Sequence, residues 1–146
     1  MGERDGLLRD LIEAYKYHSV RAVASVLAET MMSVNDSSYT LVPLPTINRH
    51  IRERGFDHIG LICKKTGLPV ERVLLRNKNT VQVGASLEQR REQAKQAYLL
   101  GSVDLNKKYL LVDDVWTTGS SMMAAANLIR EAGVKNRAIC AIARSI

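Results

Sequence analysis

The segment Tyr109-Leu110-Leu111-Val112-Asp113-Asp114-Val115-Trp116-Thr117-Thr118-Gly119-Ser120-Ser121 concentrates the residue types best suited to chemistry. It reads as an apolar strand, two adjacent carboxylates, and a hydroxyl-rich turn with one glycine that opens a helix. Such a turn has the makings of a phosphate cradle. Backbone N–H groups at a helix start lack intrahelical partners, the helix dipole favours negative charge there, and Thr117, Thr118, Ser120 and Ser121 offer hydroxyl donors. Gly119 lets a ligand come close. Asp113 and Asp114 would repel the same phosphate, so their natural partners are sugar hydroxyls or a Mg²⁺ ion, which takes oxygen ligands. The combination implies a sugar phosphate, with or without metal. A lone Asp-Asp reads as turn residues and Thr117 to Ser121 alone as a helix cap; the whole arrangement is what points to a ligand. A Walker-type loop is excluded, since no Gly-x-x-x-x-Gly-Lys-Ser/Thr occurs in the chain.

The elements that must position these residues can be read from apolar periodicity. Leu7, Leu8, Leu11, Ile12 and Tyr15 recur at helical spacing, as do Val20, Val23, Val26, Leu27 and Met31, with Ser19 as the N-cap between two amphipathic helices. Asn35 to Ser38 is a turn cluster, and Tyr39 to Val42 a buried strand closed by Pro43 and Pro45. After a polar segment, a short helix runs through Ile59, Leu61 and Ile62 to Thr66, Gly67 and Pro69. Glu71 to Leu75 is a second strand, Arg76 to Ser86 a polar, mobile loop, Leu87 to Ala97 a charged stretch of helix formers, and Tyr98 to Leu100 a short strand. Tyr109 to Val112 carries the strongest strand signal. Ser120 to Ala132 is a helix ended by Gly133, and Arg137 to Ala143 the last strand. Near-continuous apolar strands alternating with helices predict an α/β fold: an open, mostly parallel sheet with helices on both faces. In such sheets ligands bind beyond the carboxyl ends of the strands, where the carboxylates and the hydroxyl turn lie.

A chain of 146 residues with 46% hydrophobic residues suits one domain, residues 1–146, with one core. The net charge of +6 is unevenly placed, because residues 49–95 hold 11 of the 21 Lys and Arg but only 5 of the 15 Asp and Glu. That block predicts a surface for an anionic partner: nucleic acid, a phosphorylated small molecule or an anionic membrane. Aromatics are only 5%, which argues against base-stacking platforms. No run approaches the ~20 apolar residues of a membrane span, and the acidic start MGERDGLLRD is unlike a secretory signal, so the expected location is cytoplasmic. Cys63 and Cys140 are far apart without a Cys-x-x-Cys partner and read as small core residues rather than a zinc site or disulfide. His18, His50 and His58 have no ligand spacing and read as surface or packing residues, His58 drawing notice only through its place in the loop. Lys64, Lys65 and Lys95 read as solvated surface charges.

Val112 to Ser121 resembles the phosphoribosyl pyrophosphate motif of the type I phosphoribosyltransferases, and the rest of the chain resembles the ComF branch of that superfamily. Leu7 to Leu27 with Lys16-Tyr17 is similar to that family's early helices. Val42-Pro43-Leu44-Pro45 followed by Arg52-Glu53-Arg54-Gly55-Phe56 resembles its Val-Pro-x-Pro and Arg-Gly-Phe segments, and Arg76, Thr80 and Gln82 with Arg90 and Arg91 its basic loop. The sequence departs from the family pattern in having Asp57-His58 in place of Asn-Gln, Gln93 in place of an Asn, and no counterpart of the four-cysteine zinc module with which ComF proteins usually begin. Trp116 replaces the aliphatic residue of other phosphoribosyltransferases, though an aromatic there is common in ComF-like chains.

The resemblance implies a type I phosphoribosyltransferase-like, Rossmann-like fold and a pentosyl transfer. 5-Phosphoribosyl 1-pyrophosphate would bind with Mg²⁺, and a nitrogen nucleophile would displace pyrophosphate from the anomeric carbon. The 5′-phosphate would lie on Thr117, Thr118, Gly119, Ser120 and Ser121 and the ribose hydroxyls on Asp113 and Asp114, with Mg²⁺ held through ligand and water near those carboxylates rather than directly. Pro45, Thr46, Asn48, Arg49 and Gln82 would receive the pyrophosphate. Arg76, Lys78, Gln82 and Arg90 would belong to a loop that closes over it to exclude water, so that Asp113, Asp114, Arg76 and Arg90 form the catalytic set. Implied partners are this compound or another ribose 5-phosphate compound, with a second copy of the chain. The rival reading is an accessory module of DNA uptake that binds single-stranded DNA or competence proteins, the ribose-phosphate pocket being regulatory or vestigial. A base-salvage enzyme would need a base-recognition hood, and no segment can be assigned to one.

Overall fold

The computed structural model describes residues 2–3, 6–17, 21–33, 36–77, 86, 88–89, 92–93 and 96–144. Ser19, Val20, Asn35, Lys78, Thr80, Gln82, Arg90, Arg91, Lys95 and His18 lie outside the described residues, as do most of the expected basic loop and the helix-forming stretch after it. The elements run β1 (Gly2–Glu3), α1 (Gly6–Tyr17), α2 (Val23–Met32), β2 (Thr40–Pro43), α3 (Asn48–Arg54), α4 (His58–Lys65), β3 (Leu74–Arg76), β4 (Tyr98–Leu100), β5 (Tyr109–Trp116), α5 (Ser120–Glu131) and β6 (Arg137–Arg144).

Four strands form one sheet in the order β1-β6-β5-β2, and every pairing in it is parallel. Tyr109 lies opposite Thr40 on one side and Arg137 on the other. A parallel sheet needs both faces covered, and β5 meets that need by being apolar at every position from Tyr109 to Val112. Alternate residues serve opposite faces. Tyr109 and Leu111 pack with Met122, Ala125 and Ile129 of α5, while Leu110 and Val112 pack with Met31 of α2 and Ile59 and Cys63 of α4. Ile12 and Tyr15 of α1 join Leu27 of α2 and Ile142 of β6 on the latter face. The α/β architecture with helices on both faces therefore stands.

Several details differ from the sequence reading. Glu71 to Leu75 does not form one strand of the main sheet: Val70 makes an isolated parallel bridge to Leu41, and the strand proper, β3, pairs antiparallel with β4 in a separate two-stranded sheet. Pro43 ends β2 from inside rather than closing it from outside, which an edge strand tolerates. The polar segment before α4 contains a helix, α3, and β5 runs four residues beyond Val112, carrying both carboxylates within the strand. Cys63 and Cys140 are buried and form no disulfide, and burial pushes the Cys63 thiol up to about 12. Among the described residues, no helix is long and apolar enough to cross a membrane.

Candidate functional site

At the carboxyl end of β5 the chain bends through Thr117 to Gly119 and enters α5. Gly119 sits at the N-cap with φ of 76°, a left-handed conformation, and no side chain caps the helix. A Cβ at this position would also lie 2.2 Å from the Trp116 ring. Glycine is thus required by the turn and by the neighbouring indole, and the space it leaves is filled by Trp116 rather than held for a ligand. The Thr118 and Ser120 hydroxyls are 3.0 Å apart and the Ser120 N–H lies 3.4 Å from Thr118 Oγ1. Thr117, Thr118, Ser120 and Ser121 are exposed around a small cavity of about 60 Å³ at the uncapped helix start. That is roughly the share of two water molecules, room for one compact group.

The strand's alternation sends the two carboxylates apart. Asp113 follows Tyr109 and Leu111 toward α5; it lines the small cavity and also a second one of about 210 Å³, where Thr46, Arg76, Tyr98 and Ser121 are its neighbours. Its carboxylate accepts the Asp114 N–H at 2.9 Å. Burial raises its pKa to about 6, against the opposing pull of Lys16 and Arg76. Arg76 is steadied by Tyr98, donating to its hydroxyl at 3.3 Å with the guanidinium 5.4 Å from the ring centre.

Asp114 packs toward α1 and α4, is 6% exposed, and reaches the same 210 Å³ cavity from that side. Its Oδ2 forms an ion pair with Lys16, from the last turn of α1, and lies 3.2 Å from Nε2 of His58, the first residue of α4. Arg54 Nη1 lies 2.9 Å from the other ring nitrogen, Nδ1. An arginine can only donate, so Nδ1 accepts and the ring proton sits on Nε2, where it is given to Asp114. Burial, reinforced by Arg54 and Lys16, lowers the His58 pKa to about 3, so the imidazole is neutral and its bond to Asp114 is a hydrogen bond rather than an ion pair. Arg54 Nε also donates to the Lys16 carbonyl at 3.0 Å, and the Tyr15 hydroxyl donates to the His58 carbonyl. Asp57 caps α4 by accepting the Gly60 N–H at 3.2 Å, which fixes where the helix begins and hence where His58 stands.

The loop after β2 is divided. Pro45 and Thr46 line both the cavity that holds Asp113 and Asp114 and a neighbouring, larger and mainly apolar one of about 850 Å³, whereas Asn48 lines the larger one alone. Arg49 stands apart from the site: it is exposed and pairs with Glu53 one turn on at 2.8 Å. Because α3 begins at Asn48, helical spacing turns Arg49 outward and places His50 and Arg54 on the cavity instead. Arg90 and Gln82 lie outside the described residues. Lys16 and Arg54 enter the sequence reading only through the resemblance, and His58 as a packing residue noticed for its place in the loop. Among the described residues no three His, Cys, Asp or Glu side chains gather as a metal cage.

No protein-family model matches the chain. It is 25% identical over 133 residues to the competence protein ComFC of Streptococcus pneumoniae, covering 88% of this chain and 60% of that protein. It is 27% identical to competence protein F of Haemophilus influenzae, covering 92% of this chain and 67% of that one. A shorter match, 48% identical over 46 residues, is to the orotate phosphoribosyltransferase of Picrophilus torridus and covers 31% of this chain and 28% of that enzyme. Among solved structures, the allosteric regulatory enzyme of purine biosynthesis superposes with a TM-score of 0.54 at 18% identity over 86% of this chain and 26% of that one. Glutamine phosphoribosylpyrophosphate amidotransferase from B. subtilis does so with 0.53 at 17% identity over 84% and 26%. The chain is ComF-like over most of its length, has a phosphoribosyltransferase-type fold, and spans between 55% and 67% of the length of the competence proteins it matches.

Proposed function

We propose, taking the ComF-like sequence and the phosphoribosyltransferase-type fold as the premise, that this chain binds 5-phosphoribosyl 1-pyrophosphate with Mg²⁺ and transfers the phosphoribosyl group to a nitrogen acceptor in the cytoplasm. One observation carries the reading: Asp113 lines both the small cavity at the uncapped start of α5 and the larger cavity beside Thr46 and Arg76, so one carboxylate joins a phosphate seat to a diphosphate seat.

In this reading the 5′-phosphate takes the Thr117 to Ser121 turn, where helix dipole and hydroxyls favour an anion. Asp113 accepts from the ribose hydroxyls and, ionised above about pH 6, steadies positive charge developing on the ring. Asp114 holds its place against Lys16 and His58, and its charge is largely balanced there. Pyrophosphate leaves toward Pro45, Thr46 and Arg76. The nitrogen lone pair forms the new bond to the anomeric carbon as the bond to pyrophosphate breaks with its electron pair, and the nitrogen sheds a proton to solvent. A Mg²⁺ ion would be held mainly through the diphosphate and water, with Asp113 and Asp114 the carboxylates of the cavity able to receive its water. When bound, it would neutralise charge on the diphosphate.

The test is calorimetry with the sugar diphosphate, with and without Mg²⁺, followed by pyrophosphate release against a panel of amines and bases. Binding that needs Mg²⁺ and is lost in Asp113→Asn is expected; no binding by the unaltered protein sinks the reading. The similarity to competence proteins supports a second one, an accessory role in competence. Binding to single-stranded DNA that weakens steeply with salt, without any sugar-diphosphate binding, would favour it.

A further inference from the structure

The basic block has a part that the ribose-phosphate site does not use. Of its described cations, Arg54 and Arg76 line the cavity holding the carboxylates, but Lys64, Lys65 and Arg72 do not. They meet Arg21 around a separate cavity of about 470 Å³ between α2 and α4, walled on its apolar side by Phe56 and Leu61. This cavity shares no lining residue with either cavity that Asp113 lines. Its four cations face one carboxylate, Asp57, for a local charge of +3.

Two of the cations are held in place. Arg21 donates to the Gly55 carbonyl at 2.9 Å and lies 5.0 Å over the Phe56 ring, using few of its five N–H donors. Arg72 pairs with Asp57 at 2.7 Å, and its guanidinium lies against α4 where a Cβ on Gly60 would stand 2.2 Å from it. Without a side chain at Gly60, that planar group can rest on the helix. Lys64 and Lys65 are exposed on the last turn of α4, where the helix dipole alone would favour a cation, and neither forms an ion pair among the described residues. Two anchored guanidiniums, two ammoniums able to swing and an apolar wall make more than a solvated face.

We propose that this cavity is a second ligand site and that it takes a nucleoside di- or triphosphate, with phosphates on the four cations and the nucleoside against Phe56 and Leu61. The volume lies within the range of small-molecule sites, about 300–1,000 Å³, and far exceeds what one phosphate fills. The charge of +3 matches a compact polyphosphate. A nucleic-acid strand would call for cations spread along a track, whereas these ring one cavity. The site stands independently of the proposed transfer reaction.

Calorimetry with ATP, tripolyphosphate and adenosine tests it, beside Lys64→Ser/Lys65→Ser, whose exposed positions leave the fold intact by circular dichroism. ATP is expected to bind more tightly than tripolyphosphate and adenosine to bind weakest. The double substitution should weaken ATP at least tenfold while leaving the sugar-diphosphate titration as it was, and Asp113→Asn should leave ATP binding unchanged. Absence of ATP binding, indifference to the lysine substitutions, or loss in Asp113→Asn would overturn the proposal. So would an oligothymidylate that binds more tightly than ATP with a steep salt dependence, since that identifies a strand as the occupant.

Discussion

The two halves of the candidate site are built in opposite ways. The proposed phosphate half, Thr117 to Ser121, is one continuous turn, exposed except at Gly119. The carboxylate half is made of side chains from three distant segments, with Lys16, His58 and Asp114 meeting in a place where Asp114 is 6% exposed. A backbone site can stay solvated because its N–H groups are fixed by the turn itself. A side-chain network holds its geometry only by being buried and fully partnered, and that burial ties it to the stability of the fold. Substitutions in the carboxylate half should therefore cost stability as well as binding, and those in the phosphate half binding alone.

The largest effect is expected at Asp114. Asp114→Ala leaves a mostly buried Lys16 ammonium and the His58 N–H without their acceptor, and should lower the unfolding free energy by roughly 2–4 kcal/mol in urea titration. A loss near zero would break the contrast. Gly119→Ala comes next. Its left-handed backbone and the Trp116 ring both resist a Cβ, so strain of about 1–3 kcal/mol should move the turn and weaken the sugar diphosphate at least tenfold, with a smaller fall in stability than Asp114→Ala gives.

Asp113 sharpens the comparison through pH. Its folded pKa is raised from 3.8 to about 6, so between these values the folded state holds a proton the unfolded state has released. Stability must then fall as pH rises from about 4 to 6, by on the order of 3 kcal/mol relative to Asp113→Asn, and level off above. Denaturation of both proteins across that range checks the sign, and sugar-diphosphate affinity should run the opposite way, strengthening as Asp113 ionises. The smallest effect belongs to Thr118→Ala, which removes one exposed hydroxyl. Affinity should drop about three- to tenfold, with the melting temperature unchanged.

The same contrast governs what could be read beforehand. The phosphate half was legible because its residues are adjacent and its chemistry lies in residue types. β5 was expected to stop at Val112 because Asp is disfavoured in strands; its run to Trp116 splits the two aspartates between opposite faces, and no local pattern announces that. Helix α3 was hidden by having only Ile51 as an apolar residue, although Gly55, left-handed at its C-cap, was a stop signal that could have been used. His58 owes its role to an aspartate 56 positions later. The charge surplus reads in sequence as one surface, whereas among its described cations Arg54 and Arg76 line one cavity and Lys64, Lys65 and Arg72 another.

The strand order also sets a timetable for the growing polypeptide. β6 lies between β1 and β5, so β1 has no partner and β5 keeps an open hydrogen-bonding edge until residues 137–144 have been made. At about 5–20 residues per second, the 28 residues from 117 to 144 take roughly 1–6 s. For that interval β2 and β5 can pair but present an unsatisfied parallel edge. A stall in translation that leaves β5 emerged but β6 still inside the ribosome would hold the chain with its motif complete and its sheet half-built, the stage at which a nascent-chain chaperone has most to cover.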